Sequence, residues 1–151
     1  VFTLDPTAVH TMKDLQTLRV SAFQRARQIL GTTFSDIVDQ NPRYEEVARQ
    51  EGQVQRLLLG RTDAVILEQR VFYYYLAQLL GDDQEGDRYP KDKVRQHDLF
   101  PPTHYHFAFR EAGHRQWFDR QLAKMKADGR YERIFAAYGT TSTAGDKKAS
   151  P

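Results

Sequence analysis

The chain has 151 residues, enough to bury the core of one full domain or of two small lobes; its 40% hydrophobic content and mean hydropathy of −0.70 leave no apolar run long enough to span a membrane. Its 22 basic residues nearly balance 20 acidic ones, for a net charge of +2, and acids interrupt the basic positions throughout, so a nucleic-acid partner, which needs clustered positive charge, is not expected. With no Cys, disulfides, thiol chemistry and Cys-ligated zinc are excluded; with no signal-peptide pattern, the chain is expected to be cytosolic, already processed or a fragment.

Val1–Leu4 reads as a strand end before a turn at Asp5-Pro6, and Met12–Leu15 leads to a second strand, Leu18–Ala22. Gln24–Leu30 has helical composition and Gly31 ends it. Thr33-Phe34-Ser35-Asp36 matches a capping box with Asp for the usual Glu, which predicts a short helix through Val38. Asn41-Pro42 is a turn and Tyr44–Val47 a short strand. Val54, Leu57 and Leu58 then share one face of a helix over about 48–59.

Gly60-Arg61-Thr62-Asp63-Ala64-Val65-Ile66-Leu67-Glu68 is the stretch around which the rest is organised. Gly60 supplies the positive φ that a helix end favours, and Ala64–Leu67 is too short for a buried helix but fits a buried strand of a parallel sheet. A carboxylate where such a strand ends, here Glu68, lies in the crevice where open α/β sheets bind ligands. The alternative reading of Glu68 is an acid that only caps the following helix.

Val71–Leu80 is apolar and aromatic, with Tyr73–Tyr75 read as packing, and Gly81 closes it as a residue just past a helix end. Asp82–Asp92 is polar; it superficially suggests a calcium loop, but Lys93 stands where that loop requires Glu. Lys93–His97 reads as an exposed strand, and Phe100-Pro101-Pro102 as a stiff connector. Tyr105, Phe107 and Phe109 alternate with His104, His106 and Ala108 at strand period. Helices over about 114–127 and 131–138 flank Asp128-Gly129, and a small, polar tail at 140–151 is expected to be disordered. Strands and helices alternate, which predicts an α/β fold with a parallel sheet. His104 and His106 share a strand face, but no third metal ligand is fixed by spacing, so no metal or cofactor is expected. There is also no nucleophile elbow, His-Glu-x-x-His pattern or phosphate loop, and no enzyme is expected.

Three ordered segments carry a resemblance. They are Lys13-Asp14-Leu15 with Arg19-Val20-Ser21-Ala22; Gln53-Val54 through Leu58-Leu59-Gly60-Arg61-Thr62-Asp63-Ala64-Val65; and Tyr105–Arg110 followed by Leu122 and Lys126-Ala127-Asp128-Gly129-Arg130-Tyr131-Glu132-Arg133-Ile134. Over about 13–139 the chain resembles the type II periplasmic solute-binding proteins, the extracellular family 3 that serves amino-acid ABC importers. The resemblance implies two lobes closing on a small ligand. The parallel-sheet second lobe would be 14–98, with crossovers at 1–13 and 99–106 and the C-terminal helical part of the first lobe at 107–139. The family's N-terminal segment, which builds most of the first lobe, has no counterpart here, so the chain looks like a fragment.

On this resemblance, the turn after the second lobe's first strand contacts ligand through backbone N–H groups. This chain has Phe23, Gln24 and Arg25 there, offering respectively stacking, a donor and acceptor, and a partner for a carboxylate. Glu68 aligns with an acid that receives the ligand's ammonium, and Arg70 and Phe72 are weaker candidates. The implied role is a periplasmic protein that presents a small polar, amino-acid-like solute to a membrane permease. Alternatives are the ligand-sensing domain of a signalling receptor and, more remotely, a dehydratase-type enzyme. Phe118, Leu122 and Met125, with Tyr131, Ile134, Phe135 and Tyr138, recur at helical spacing. In the family this face packs on the first lobe's sheet, so the isolated chain is expected to self-associate through it or fold it onto the second lobe.

Overall fold

The computed structural model describes residues 1–81, 89–102 and 105–138. The chain divides into two compact units, Val1–Pro101 and Pro102–Pro151.

The first unit is a five-stranded sheet with helices on both faces. Its strands are β1 (Phe2–Leu4), β2 (Val20–Phe23), β3 (Tyr44–Val47), β4 (Ala64–Ile66) and β5 (Val94–Gln96), in spatial order β3-β2-β4-β1-β5. β2 runs parallel to β3 and β4, with Ser21 beside Glu45 and Val65. β1 runs antiparallel to both of its neighbours, with Phe2 opposite Val65 and Gln96. The sheet is therefore mixed rather than wholly parallel.

Alternation along the strands sorts the core into two layers. Val20, Ala22, Ala64 and Ile66 face a cluster with Leu15, Ala26, Phe34 and Val38. This layer holds the 3-10 turn Met12–Thr17 and the helices α1 (Ala26–Ile29) and α2 (Thr32–Asp39). Val65, Leu67 and Phe2 face the other way, against Val54, Leu57, Leu58, Phe72 and Leu76. These come from α3 (Gln50–Leu58) and α4 (Gln69–Leu80), and the Phe2 and Phe72 rings stack with centroids 3.7 Å apart. Burial on both faces explains why β4 reads as an unbroken apolar run. The buried Ser21 hydroxyl and Gln53 amide have no hydrogen-bond partner among the described residues, a cost of about 1–3 kcal/mol for each orphaned group.

Several expected boundaries move for identifiable reasons. The capping box at Thr33 is not used. Gly31, at φ +91°, both follows α1 and is the N-cap of α2, so Thr33 falls inside the helix. A carboxylate does take this kind of role earlier, where Asp14 accepts from the N–H groups of His10 and Thr11 at 2.8 Å each. Gly60 has the expected left-handed backbone, φ +65°. Gly81 does not; it ends α4 at φ −79°, and a Cβ there would meet the Ala77 carbonyl at 3.3 Å, so the position favours glycine for space. Phe100 packs edge-on to Phe34 at 5.5 Å and anchors the connector to the first unit.

The second unit contains α5 (Ala112–Ala127) and α6 (Arg130–Ala137), joined through Gly129 at φ +74°. Tyr105–Phe109, read as a strand from its alternation, is not one: it has no strand partner among the described residues. Phe107 and Phe109 instead lie against Phe118 of α5, at 5.0 and 5.2 Å. No residue of 105–138 is buried. His104, the calcium-loop reading of 82–88 and the tail at 140–151 fall outside the described residues, and among those described no cluster of three metal-ligating side chains occurs.

Candidate functional site

Because β2, β3 and β4 are parallel, their carboxyl ends meet at one edge, and α1, α3 and α4 each start there. Helix N-termini with unpaired N–H groups make such an edge receptive to polar ligands. Phe23 is beside Val47, and one residue further back Ala22 is beside Ile66, which brings Phe23-Gln24-Arg25 and Leu67-Glu68 to the same edge. Four of the five expected site residues therefore lie on two adjacent strand ends. The fifth, Arg70, is half-buried in the first turn of α4.

Their surroundings differ from what composition suggests. Phe23 is half-buried and packs against both core layers. Gln24 is exposed. Glu68 is exposed and is the N-cap of α4, one carboxylate oxygen accepting from the Val71 N–H at 2.9 Å. The capping role expected as the alternative is thus the one seen, in a side chain that stands at the strand edge. A carboxylate has about four acceptor sites, so the cap leaves most of them available to a ligand cation.

Arg25 has φ +68°, the left-handed region, which costs a residue with a Cβ on the order of 1–2 kcal/mol. Its Nε donates to Gln28 Oε1 at 2.9 Å. The loop is held by Glu46 of β3, a residue the sequence did not single out. One Glu46 oxygen accepts from the Arg25 N–H at 2.7 Å, and the other accepts from the Arg27 N–H at 2.8 Å and from the Tyr44 hydroxyl at 2.9 Å. Burial raises the Glu46 carboxyl pKa, but the donors from Arg27, Tyr44 and Arg25 outweigh it and hold the group below the ordinary glutamate value. Burial, and then Glu46 beside it, push the Tyr44 phenol up. The backbone donors that the resemblance assigns to ligand are thus partly taken by the protein's own carboxylate. At this turn the N–H groups of Arg25 and Arg27 are both bonded to Glu46. No short-range pattern announces Glu46, because the backbone N–H groups it accepts from lie on the neighbouring strand's loop.

No family model matches the sequence, and no curated protein matches it. Among solved structures the chain is similar to an ancestral arginine-binding protein bound to glutamine, with a TM-score of 0.60 and 18% identity, over 93% of this chain and 58% of that one. It is similar to an ancestral arginine-binding protein bound to arginine at a TM-score of 0.59 and 19% identity, over 91% of this chain and 57% of that one. The chain therefore spans somewhat more than half the length of the proteins it matches. At this identity the likeness is one of architecture: the chain has the α/β fold of the type II periplasmic-binding proteins, at partial coverage.

Proposed function

We propose that this protein is the solute-binding component of an ABC importer, working in the periplasm and presenting a small amino-acid-like solute to a membrane permease. The observation that carries the reading is Glu68, placed at the carboxyl end of β4 on the same edge as Phe23, Gln24 and Arg25, in a fold shared with arginine-binding proteins. Glu68 accepts the cationic group of the solute, and Arg25 faces its carboxylate end. The attraction is weak on an open surface but grows several-fold when closure of the other lobe removes water, because the effective dielectric falls. Binding energy favours the closed state, and closure is what a permease reads. The role is one of binding, in line with the arginine-binding proteins whose fold the chain shares.

Calorimetry with arginine and glutamine tests the assignment. Glu68→Gln removes the charge but keeps a carbonyl oxygen able to cap α4, so the fold is expected to persist. Arginine affinity is expected to fall at least tenfold, the effect of losing about 1.4 kcal/mol. An unchanged affinity removes Glu68 from the site, and no binding of either solute by the parent protein removes the solute class.

A further inference from the structure

The parallel strands bring their amino ends together too, at the edge opposite Glu68, and the charges there do not balance. Arg19 precedes β2, Arg43 precedes β3, Arg56 lies in the last turn of α3 and Arg61 stands between α3 and β4. All four line one cleft of about 210 Å³, with Tyr44, Thr62 and one carboxylate, Glu45. Two of the cations are neutralised. Arg19 grips Asp63 through Nε and a terminal nitrogen, the shortest contact being 2.6 Å, and Arg56 pairs with Glu45.

The other two form no close ion pair among the described residues, although Arg43 adds to the positive field on Asp63. Arg43 donates to the backbone carbonyl of Thr17, an acceptor without net charge. The guanidinium of Arg61 has no hydrogen-bond or ion-pair partner among the described residues, while its N–H binds the Arg56 carbonyl and fixes its backbone. Two like charges held beside one cleft repel, and an anion bearing two negative charges relieves both. Guanidinium forks match the tetrahedral oxygens of phosphate with paired, charge-assisted hydrogen bonds.

We propose that this cleft is a second binding site, for a dianionic oxyanion of the phosphate class held between Arg43 and Arg61 and bordered by Arg19, Arg56 and Thr62. The site is independent of the solute edge. The anion is either inorganic phosphate or the head of a phosphomonoester, which share this chemistry.

Calorimetry and thermal melting in constant ionic strength test it, with inorganic phosphate in one arm, glycerol phosphate in another and chloride as the comparison. Either phosphate species is expected to bind saturably and raise Tm, and the tighter one identifies the source. Arg43→Gln/Arg61→Gln is expected to weaken binding at least tenfold. Arg61→Gln alone, which removes a side chain making no hydrogen bond, is expected to weaken it about threefold or more without disturbing the fold, so failure of the double variant to fold leaves the question answerable. A chloride effect equal to that of phosphate overturns the proposal, as does undiminished phosphate binding in Arg61→Gln.

Discussion

Glu46 and Arg25 act as a pair in opposition. The left-handed backbone at Arg25 is unfavourable for any side chain but glycine, and the Glu46 carboxylate, with its donors at 2.7–2.9 Å, offsets that strain. Glu46→Ala would orphan two backbone N–H groups and the Tyr44 hydroxyl, and is expected to destabilise the protein by about 1–3 kcal/mol in urea melts, against little or no change if the donors are satisfied by water. On the proposed solute-binding role, arginine binding should weaken with it, since the loop that carries Arg25 loses its tether. At this scale the sequence exposes some things and hides others. Glu68 is legible because a short apolar run and a following helix fix where it must stand. Glu46 is not, since the two backbone N–H groups it accepts from lie 19 and 21 positions away and meet it only when β2 and β3 pair.

Among the elements, the β2 and β4 starts are tied by one ion pair. Asp63 accepts from the Arg19 backbone N–H at 2.7 Å and from its guanidinium, and the Arg19 side chain foremost holds the Asp63 carboxyl below the ordinary aspartate value of 3.8. A depressed carboxyl pKa stabilises the fold fully above the unfolded value, and that contribution fades as pH falls through the folded one. The protein is therefore expected to lose stability below about pH 4 partly through this pair. Asp63→Asn should cost about 1 kcal/mol at neutral pH and flatten the decline between pH 4 and pH 2, read by urea melts across pH. The elements themselves are largely legible: β2, β3, β4, α3 and the two late helices follow from apolar period and glycine position. The direction of β1 is not, because three residues carry no signal of which way they run. The false strand at Tyr105–Phe109 fails for a related reason, since alternation describes a side-chain pattern and a strand also needs a neighbour to bond.

The whole molecule is unevenly buried. The first unit encloses two apolar layers, whereas the helical unit leaves Trp117, Ile134, Tyr138, Tyr105 and Phe107 between 47% and 78% exposed. A large apolar side chain gains about 1.5–3 kcal/mol on burial, so leaving several of them exposed favours association. We expect sedimentation of the chain to show mass rising with concentration and Trp117→Ser with Ile134→Ser to suppress it; a monomer at all concentrations would count against that expectation. Of these, Ile134 and Tyr138 belong to the helical spacing read from the sequence, whereas Trp117 does not, and Tyr105 and Phe107 read there as strand. Phe118, Leu122, Met125, Tyr131 and Phe135 are half-buried, because packing that no local pattern records decides which stay exposed. The sheet also imposes an order of events. β1 sits between β4 and β5, yet its partners follow it by about sixty and ninety residues. β3, β2 and β4 can join as soon as the chain has passed Ile66, leaving one edge of β4 open. The strand nearest the start of the chain has to wait for that edge before it can dock, and β5 has to wait for it in turn. Closing so long a loop slows assembly, since the contacts are distant in sequence. In a chain that is synthesised from its amino end, an early strand thus becomes the clasp that holds β5 to the rest of the sheet.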